Sequence, residues 1–209
     1  MPGSPCIEFW FDFGSNYSYI STMRIEHLAG ERGVAVRWRP FLLGPIFRSL
    51  GWETSPFVLQ KAKGEYVWRD MVRECRKAGI GWPRPSEFPR TSMLAHRLAL
   101  AAAREPWIGA FCRGVARRNF VDDQEIASSA AVAAVLRGLG VAPDEWVAAA
   151  QSDAVKQGLR AQTDEAVRRG IFGAPSFFVG DEMFWGNDRL DDALALAGTH
   201  ASGGADAAA

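Results

Sequence analysis

An α/β fold assembled from the two ends of the chain, with a large all-helical insertion between them, is predicted by three observations on this 209-residue sequence. An apolar run at residues 7–13 gives way near Ser15 to a helical period. A proline-led pair of short apolar runs surrounds Gly180-Asp181 close to the other end. Between about Phe41 and Arg169, apolar residues recur at helical spacing.

Taken in order, Ile7-Glu8-Phe9-Trp10-Phe11-Asp12-Phe13 is too short for a helix and too apolar for a surface loop, so it reads as a central strand. From Tyr17 onward, Ile20, Met23, Ile25 and Leu28 form a helical stripe, with Gly30 and Gly33 available to end it. Val34-Ala35-Val36-Arg37-Trp38-Arg39 alternates and is bounded by Pro40, which makes it the second strand. In the middle, Met93-Leu94-Leu98-Ala101, Trp107-Phe111-Val115 and Val132-Val135-Leu136-Leu139 predict helices, punctuated by Pro106 and Pro143. Their alanine content and scarcity of β-branched residues argue against further sheet. Gly180-Asp181 suits a tight hairpin between two short strands. Pro175, unable to donate a ladder hydrogen bond, marks the first residue of the first of them, with a cis peptide among its options.

Strand, helix, strand at one end and proline, hairpin, helix at the other make the two halves of a thioredoxin-like domain. The expected division is residues 1–40 and 166–198 for that domain, 41–165 for the insertion and 199–209 for a disordered, small-residue tail. In such a fold Ala174-Pro175 faces the start of the first helix, beside Ser15. Redox members keep Cys-x-x-Cys at that helix start, and the same spacing here reads Ser15-Asn16-Tyr17-Ser18, which all but excludes disulfide exchange. A helix start still presents unpaired N–H groups and a partial positive charge, which suit a thiolate. The plain alternative for Ser15 is a helix cap, worth about 1 kcal/mol.

Composition narrows the partners. With 24 basic and 24 acidic side chains there is no basic excess for nucleic acid or an anionic membrane. Three separated cysteines, Cys6, Cys75 and Cys112, suggest neither a disulfide framework nor a zinc site, and His27, His96 and His200 are scattered, so no metal is expected. Met1 to Pro5 lacks a secretion signal and no apolar run reaches membrane-spanning length, which makes the cytoplasm the expected location.

Phe11-Asp12-Phe13-Gly14-Ser15, the turn Gly173-Ala174-Pro175, and above all the stretch from Gly180 to Leu190 with Trp185-Gly186-Asn187-Asp188 resemble the 2-hydroxychromene-2-carboxylate isomerases. Together with the kappa-class glutathione transferases these form a DsbA-like branch of the thioredoxin fold, and the resemblance runs from about Ile7 to Leu196. It implies glutathione as cofactor and Ser15 as the catalytic residue, its hydroxyl holding the glutathione sulfur as a thiolate. It further implies that the backbone of Ala174 pairs with the cysteinyl part of glutathione and that Trp185, Gly186, Asn187 and Asp188 belong to the glutathione site. Asn187 and Asp188 would take the γ-glutamyl end, although an N-cap role explains Asn187 as well. Lys63 matches a basic residue that faces a carboxylate.

The implied reaction is isomerisation of a small, ring-opened aromatic pyruvate of aromatic catabolism by reversible thiolate addition. Two departures stand out. Asn16 replaces the proline usual after the serine, and the regions Phe41 to Phe47 and Gly51 to Thr54 lack the lysine and asparagine that contact substrate or glutathione in the best-known members. Substrate-contacting residues are therefore left unassigned. A kappa-class-like transferase or peroxidase, and a non-catalytic DsbA-like protein binding peptide beside Pro175, are the alternative readings. Relatives are often homodimers.

Overall fold

The computed structural model describes residues 5–202. A four-stranded sheet, ordered β2-β1-β3-β4, is built from β1 (Cys6–Phe11), β2 (Ala35–Pro40), β3 (Ser176–Val179) and β4 (Glu182–Trp185). The first two strands run parallel, joined by α1 (Asn16–Gly30), while β3 lies antiparallel to both β1 and β4. Between β2 and β3 stand α2 (Leu43–Ser49), α3 (Pro56–Leu59), α4 (Lys61–Lys77), α5 (Met93–Ala101), α6 (Ile108–Phe120), α7 (Ser129–Gly138), α8 (Pro143–Gln151) and α9 (Asp153–Arg168). A 3-10 turn (Asn187–Arg189) leads into α10 (Leu190–Ser202). The thioredoxin-like fold with its helical insertion is thus as the sequence predicts.

Strand alternation explains how the sheet is covered. Ile7, Phe9 and Phe11 point to one face, where Phe9 stacks on Phe11 at 5.0 Å and on Phe177 at 5.4 Å between ring centroids. Ile25 of α1, Leu98 of α5, Phe111 of α6 and Leu194 of α10 close that cluster. Trp10 points the other way, into a smaller cluster with Phe41, Ala166, Ile171 and Phe178. Each fully buried aromatic or aliphatic side chain of this kind contributes about 1.5–3 kcal/mol. A third cluster joins Tyr19 and Ile20 of α1 to Val67 and Met71 of α4 and to Phe120. The first helix is therefore wedged between the sheet and the insertion.

Boundaries differ from expectation where side chains and turns intervene. The first strand stops at Phe11 rather than Phe13 because the Ser15 N–H closes a turn on the Asp12 carbonyl at 3.0 Å. Pro40 lies within β2, paired with Phe11, which an edge strand permits because one side of its backbone needs no donor. Pro175 precedes β3 instead of starting it, and its peptide with Ala174 is cis. The tail expected from residue 199 is helical through Ser202, since α10 continues that far; positions 203–209 lie outside the described residues.

One close approach in the insertion bears on the site. An added Cβ at Gly64 would lie 2.2 Å from the Phe57 carbonyl oxygen, so glycine is what lets α4 pack against α3. That packing sets the Phe57 ring against Tyr17, with centroids 6.2 Å apart. Helix propensity alone favours Gly64→Ala by about 1 kcal/mol, but the backbone clash reverses the sign. We expect destabilisation of roughly 1–3 kcal/mol, seen calorimetrically as a fall in Tm of roughly 2–10 °C; a higher Tm would contradict the packing.

Candidate active site

The Ser15 hydroxyl makes two hydrogen bonds at the helix start. It is the N-cap of α1, its Oγ accepting from the Ser18 N–H at 3.2 Å. The same hydroxyl donates to the Ala174 carbonyl at 2.8 Å, across a separation of 159 residues. The cis peptide before Pro175 lies at that contact, and the Pro175 carbonyl accepts from the Gly186 N–H at 3.0 Å. A short backbone path thus links Ser15 to the Gly186-Asn187-Asp188 segment.

Asn187 is buried but does not cap: Gly186, at φ 109°, occupies the cap position with no side-chain bond. The Asn187 Oδ1 instead accepts from the Ser21 hydroxyl at 3.0 Å and from Arg24 at 3.4 Å. Arg24 also pairs with Asp191 at 3.1 Å, and Asp188 with Arg189 at 3.0 Å. Here a cavity of about 180 Å³ opens, lined by Arg24, Glu74, Lys77, Asn187, Asp188 and Asp191, with Ala78 at its wall. The Glu74 carboxylate bonded to Lys77 raises the lysine above its usual range and keeps it charged. Cations and anions face the same small space, an arrangement suited to the ammonium and carboxylate of an amino acid.

Ser15, Ser18, Ser21 and Arg24 recur every third residue, so successive pairs are neighbours while the row winds about half way round the largely buried helix. Among the described residues, four buried side-chain polar atoms lack a hydrogen-bond partner, and two of them, Asn16 Nδ2 and Ser18 Oγ, belong to the first turn of α1. Such atoms cost about 1–3 kcal/mol each when left unpaired. Both atoms lie in the same turn as the Ser15 cap.

Trp185 and Phe172 form a half-exposed aromatic pair with centroids 4.7 Å apart. The indole lies over Gly173, where an added Cβ would come within 2.4 Å of its Nε1, and so stands next to Ala174. Lys63 is exposed; its ammonium is 5.9 Å from the Phe57 ring centre, and Phe57 in turn packs on Tyr17. Ser15, Ala174, Gly186, Asn187 and Asp188 are joined by two hydrogen bonds and the backbone between them, whereas Lys63 reaches the helix start only through those two rings.

Several residues to which the sequence assigned no role complete the site. The Asp12 carboxylate accepts from the Gly14 N–H at 2.7 Å and from the Leu43 N–H at 2.8 Å. His96 is fully buried, with Nδ1 2.8 Å from the Ser92 carbonyl and Nε2 accepting from the Phe13 N–H at 3.2 Å. Those partners place its proton on Nδ1. Asn119 donates from Nδ2 to the Phe13 carbonyl at 2.9 Å. Its Oδ1 accepts from the buried Arg90, which pairs with Asp123 at 2.6 Å. His96 inside the mostly apolar α5 was the available signal, but only the fold shows what it faces. Burial meanwhile pushes the protein's own thiols up, Cys75 to about 12 and Cys112 well above the ordinary range, so neither is an activated nucleophile.

Arg90 and the Ser86 donors hold the Asp123 carboxyl at about 2, below the ordinary range. A carboxyl depressed on folding adds stability above its unfolded value and loses it as pH falls through the folded one. Urea unfolding should therefore show Asp123→Asn less stable than wild type near neutrality. The gap should close between about pH 4 and about pH 2.

The chain matches the DSBA-like thioredoxin domain model over residues 6–196. It is 29% identical over 201 residues to a 2-hydroxychromene-2-carboxylate isomerase of Pseudomonas putida, covering 88% of this chain and 90% of that one. It is 28% identical over 204 residues to glutathione S-transferase kappa 2 of Caenorhabditis elegans, covering 91% and 90%. A solved 2-hydroxychromene-2-carboxylate isomerase structure superimposes with a TM-score of 0.85 at 26% identity, covering 98% of this chain and all of the other. A serine in place of the redox cysteine, a cis-proline turn facing it and a helical insertion between the two halves are thus the features of a chain that belongs to the DSBA-like thioredoxin domain family, with 2-hydroxychromene-2-carboxylate isomerases and kappa-class glutathione transferases among its relatives.

Proposed function

We propose that this protein is a glutathione-dependent isomerase acting on 2-hydroxychromene-2-carboxylate or a related aromatic-pathway intermediate, with Ser15 as its catalytic residue. The observation that carries the reading is the Ser15 hydroxyl, set between the first amides of α1 and the Ala174 carbonyl. Its relatives include enzymes named for that reaction and for kappa-class transfer.

Each residue has a defined task. Ser15 turns its O–H from the Ala174 carbonyl toward sulfur, and the positive end of α1 adds to the preference for the charged form. Ala174, released by that turn, offers its backbone to the cysteinyl unit. Asn187 and Asp188, with Arg24, Glu74 and Lys77 around the cavity, hold the amino-acid end, while Gly186 sets the turn that brings them there. Trp185 and Phe172 wall the side next to Ala174, and Lys63 faces a carboxylate. Bound glutathione supplies a sulfur nucleophile for reversible addition to a conjugated double bond, the chemistry that the chain's own buried thiols cannot provide. The working enzyme on this reading is cytoplasmic and a homodimer.

A kappa-class-like transferase or peroxidase is the second reading, favoured by the 28% identity to a worm kappa transferase. Conjugation consumes glutathione and isomerisation does not, so product analysis separates the two. A non-catalytic peptide binder would show neither.

Calorimetry with the ultraviolet thiolate absorbance followed against pH tests Ser15. Wild type should bind glutathione and depress its thiol pKa. Ser15→Ala should raise that pKa by about 1–2 pH units, the loss of one charge-assisted hydrogen bond. Absence of glutathione binding to wild type would defeat both the isomerase and the transferase. A second variant addresses the amino-acid end: Arg24→Ala should weaken binding about tenfold, or about 1.4 kcal/mol, without moving the thiol pKa, and unchanged affinity would remove Arg24 from the site.

A further inference from the structure

The backbone just ahead of Ser15 is in an unusual position. The sheet ends at Phe11, so Phe13 has no strand partner for either its N–H or its carbonyl, yet both are buried and must be satisfied. Two side chains from the insertion do this, His96 of α5 from 83 residues away and Asn119 of α6 from 106 residues away. Each has a partner that fixes which way it points. Ser92 holds the His96 proton on Nδ1 and leaves Nε2 to accept, while Arg90 occupies the Asn119 oxygen and leaves the amide N–H₂ to donate. The His96 ring also packs edge-on against the Phe13 ring at 5.0 Å.

Phe13 is the first central residue of the turn that Ser15 closes on Asp12, and the second, Gly14, is held by the Asp12 carboxylate. We propose that His96 and Asn119 are positioning residues for Ser15: by gripping Phe13 at its N–H and its carbonyl they set where the Ser15 hydroxyl stands relative to the first amides of α1. The field of a helix start falls off within one turn. A hydroxyl displaced from that start stabilises a neighbouring thiolate less. The inference rests on Ser15 being the thiolate-holding residue, but its test needs no glutathione.

The reporter is Ser15→Cys, which puts a thiol at the gripped position. That thiol should titrate below the ordinary value of about 8.5, read by ultraviolet absorbance and by alkylation rate against pH. Adding His96→Leu or Asn119→Leu should raise its pKa by about half a pH unit or more, a fall of about threefold in alkylation below the pKa. His96→Gln, which keeps an acceptor, should restore most of the shift. Val132→Ala opens a cavity in α7 without removing any hydrogen-bond partner of Phe13, His96 or Asn119, and should leave the thiol where it was.

The proposal is overturned if the leucine variants keep their native near-ultraviolet dichroism and an unshifted thiol, or if Val132→Ala shifts it equally. Should a leucine variant fail to fold, His96→Asn, polar but too short to reach Phe13, decides in the same way. Shifts of the expected sign in a protein that does not bind glutathione would leave this positioning role standing and the proposed function fallen. Glutathione binding without the shifts would do the reverse.

Discussion

A single hydrogen bond, from the Ser15 hydroxyl to the Ala174 carbonyl, ties the two ends of the chain together at the place where chemistry is expected. It forms because β1 lies between β2 and β3, so the segment leaving β1 and the segment entering β3 emerge at the same edge. The antiparallel register, with Trp10 opposite Ser176, puts Ala174-Pro175 level with the turn after Phe11. Everything else in the site is arranged around that contact. Gly186 is drawn in by the Pro175 carbonyl, and Asn187 follows it against Ser21 and Arg24.

The first helix carries conflicting demands. Ile25 and Ala29 bury against the sheet, and Tyr19 and Ile20 against the insertion, so little of its circumference is free. Ser15, Ser18, Ser21 and Arg24 wind between these contacts, and two of the unpartnered buried polar atoms among the described residues, Asn16 Nδ2 and Ser18 Oγ, lie in the first turn. An apolar first turn would be more stable by the desolvation cost of those groups. On the proposed function, the helix start trades that stability for a ligand.

The insertion contributes more than a cover. Helices α5 and α6 deliver His96 and Asn119 to a turn that the sheet cannot hold, Arg90 from the loop before α5 holds Asn119, and Asp12 anchors the same turn to the start of α2 through Leu43. Buried hydrogen-bonded polar groups of this kind cost little when fully paired and specify one geometry. The site thus depends on both halves of the thioredoxin-like fold and on the residues between them.

Much of this was legible in the sequence because local chemistry decides it. Alternation marks β1 and β2, Gly180-Asp181 marks the hairpin, and Ser15 sits where a strand period becomes a helical one; the Ser15, Ala174 and Trp185-Gly186-Asn187-Asp188 segments stand out as motifs. Lys63 was named with them, yet only the packing of Phe57 on Tyr17 relates it to the helix start. Arg24, Glu74 and Lys77 look like solvated charges in sequence, and they share a cavity only because α1, α4 and α10 converge there. His96 looks like a polar residue inside a mostly apolar helix, Asn119 like the end of the polar run Arg117-Arg118-Asn119, and Arg90 like a loop charge. The sequence by itself determined the elements and the serine at the helix start, since propensity, periodicity and turn chemistry act over a few residues. Only the tertiary structure decided what grips Phe13 and what surrounds Asn187, because those partners lie 83 to 166 residues away and meet through packing that no local pattern encodes.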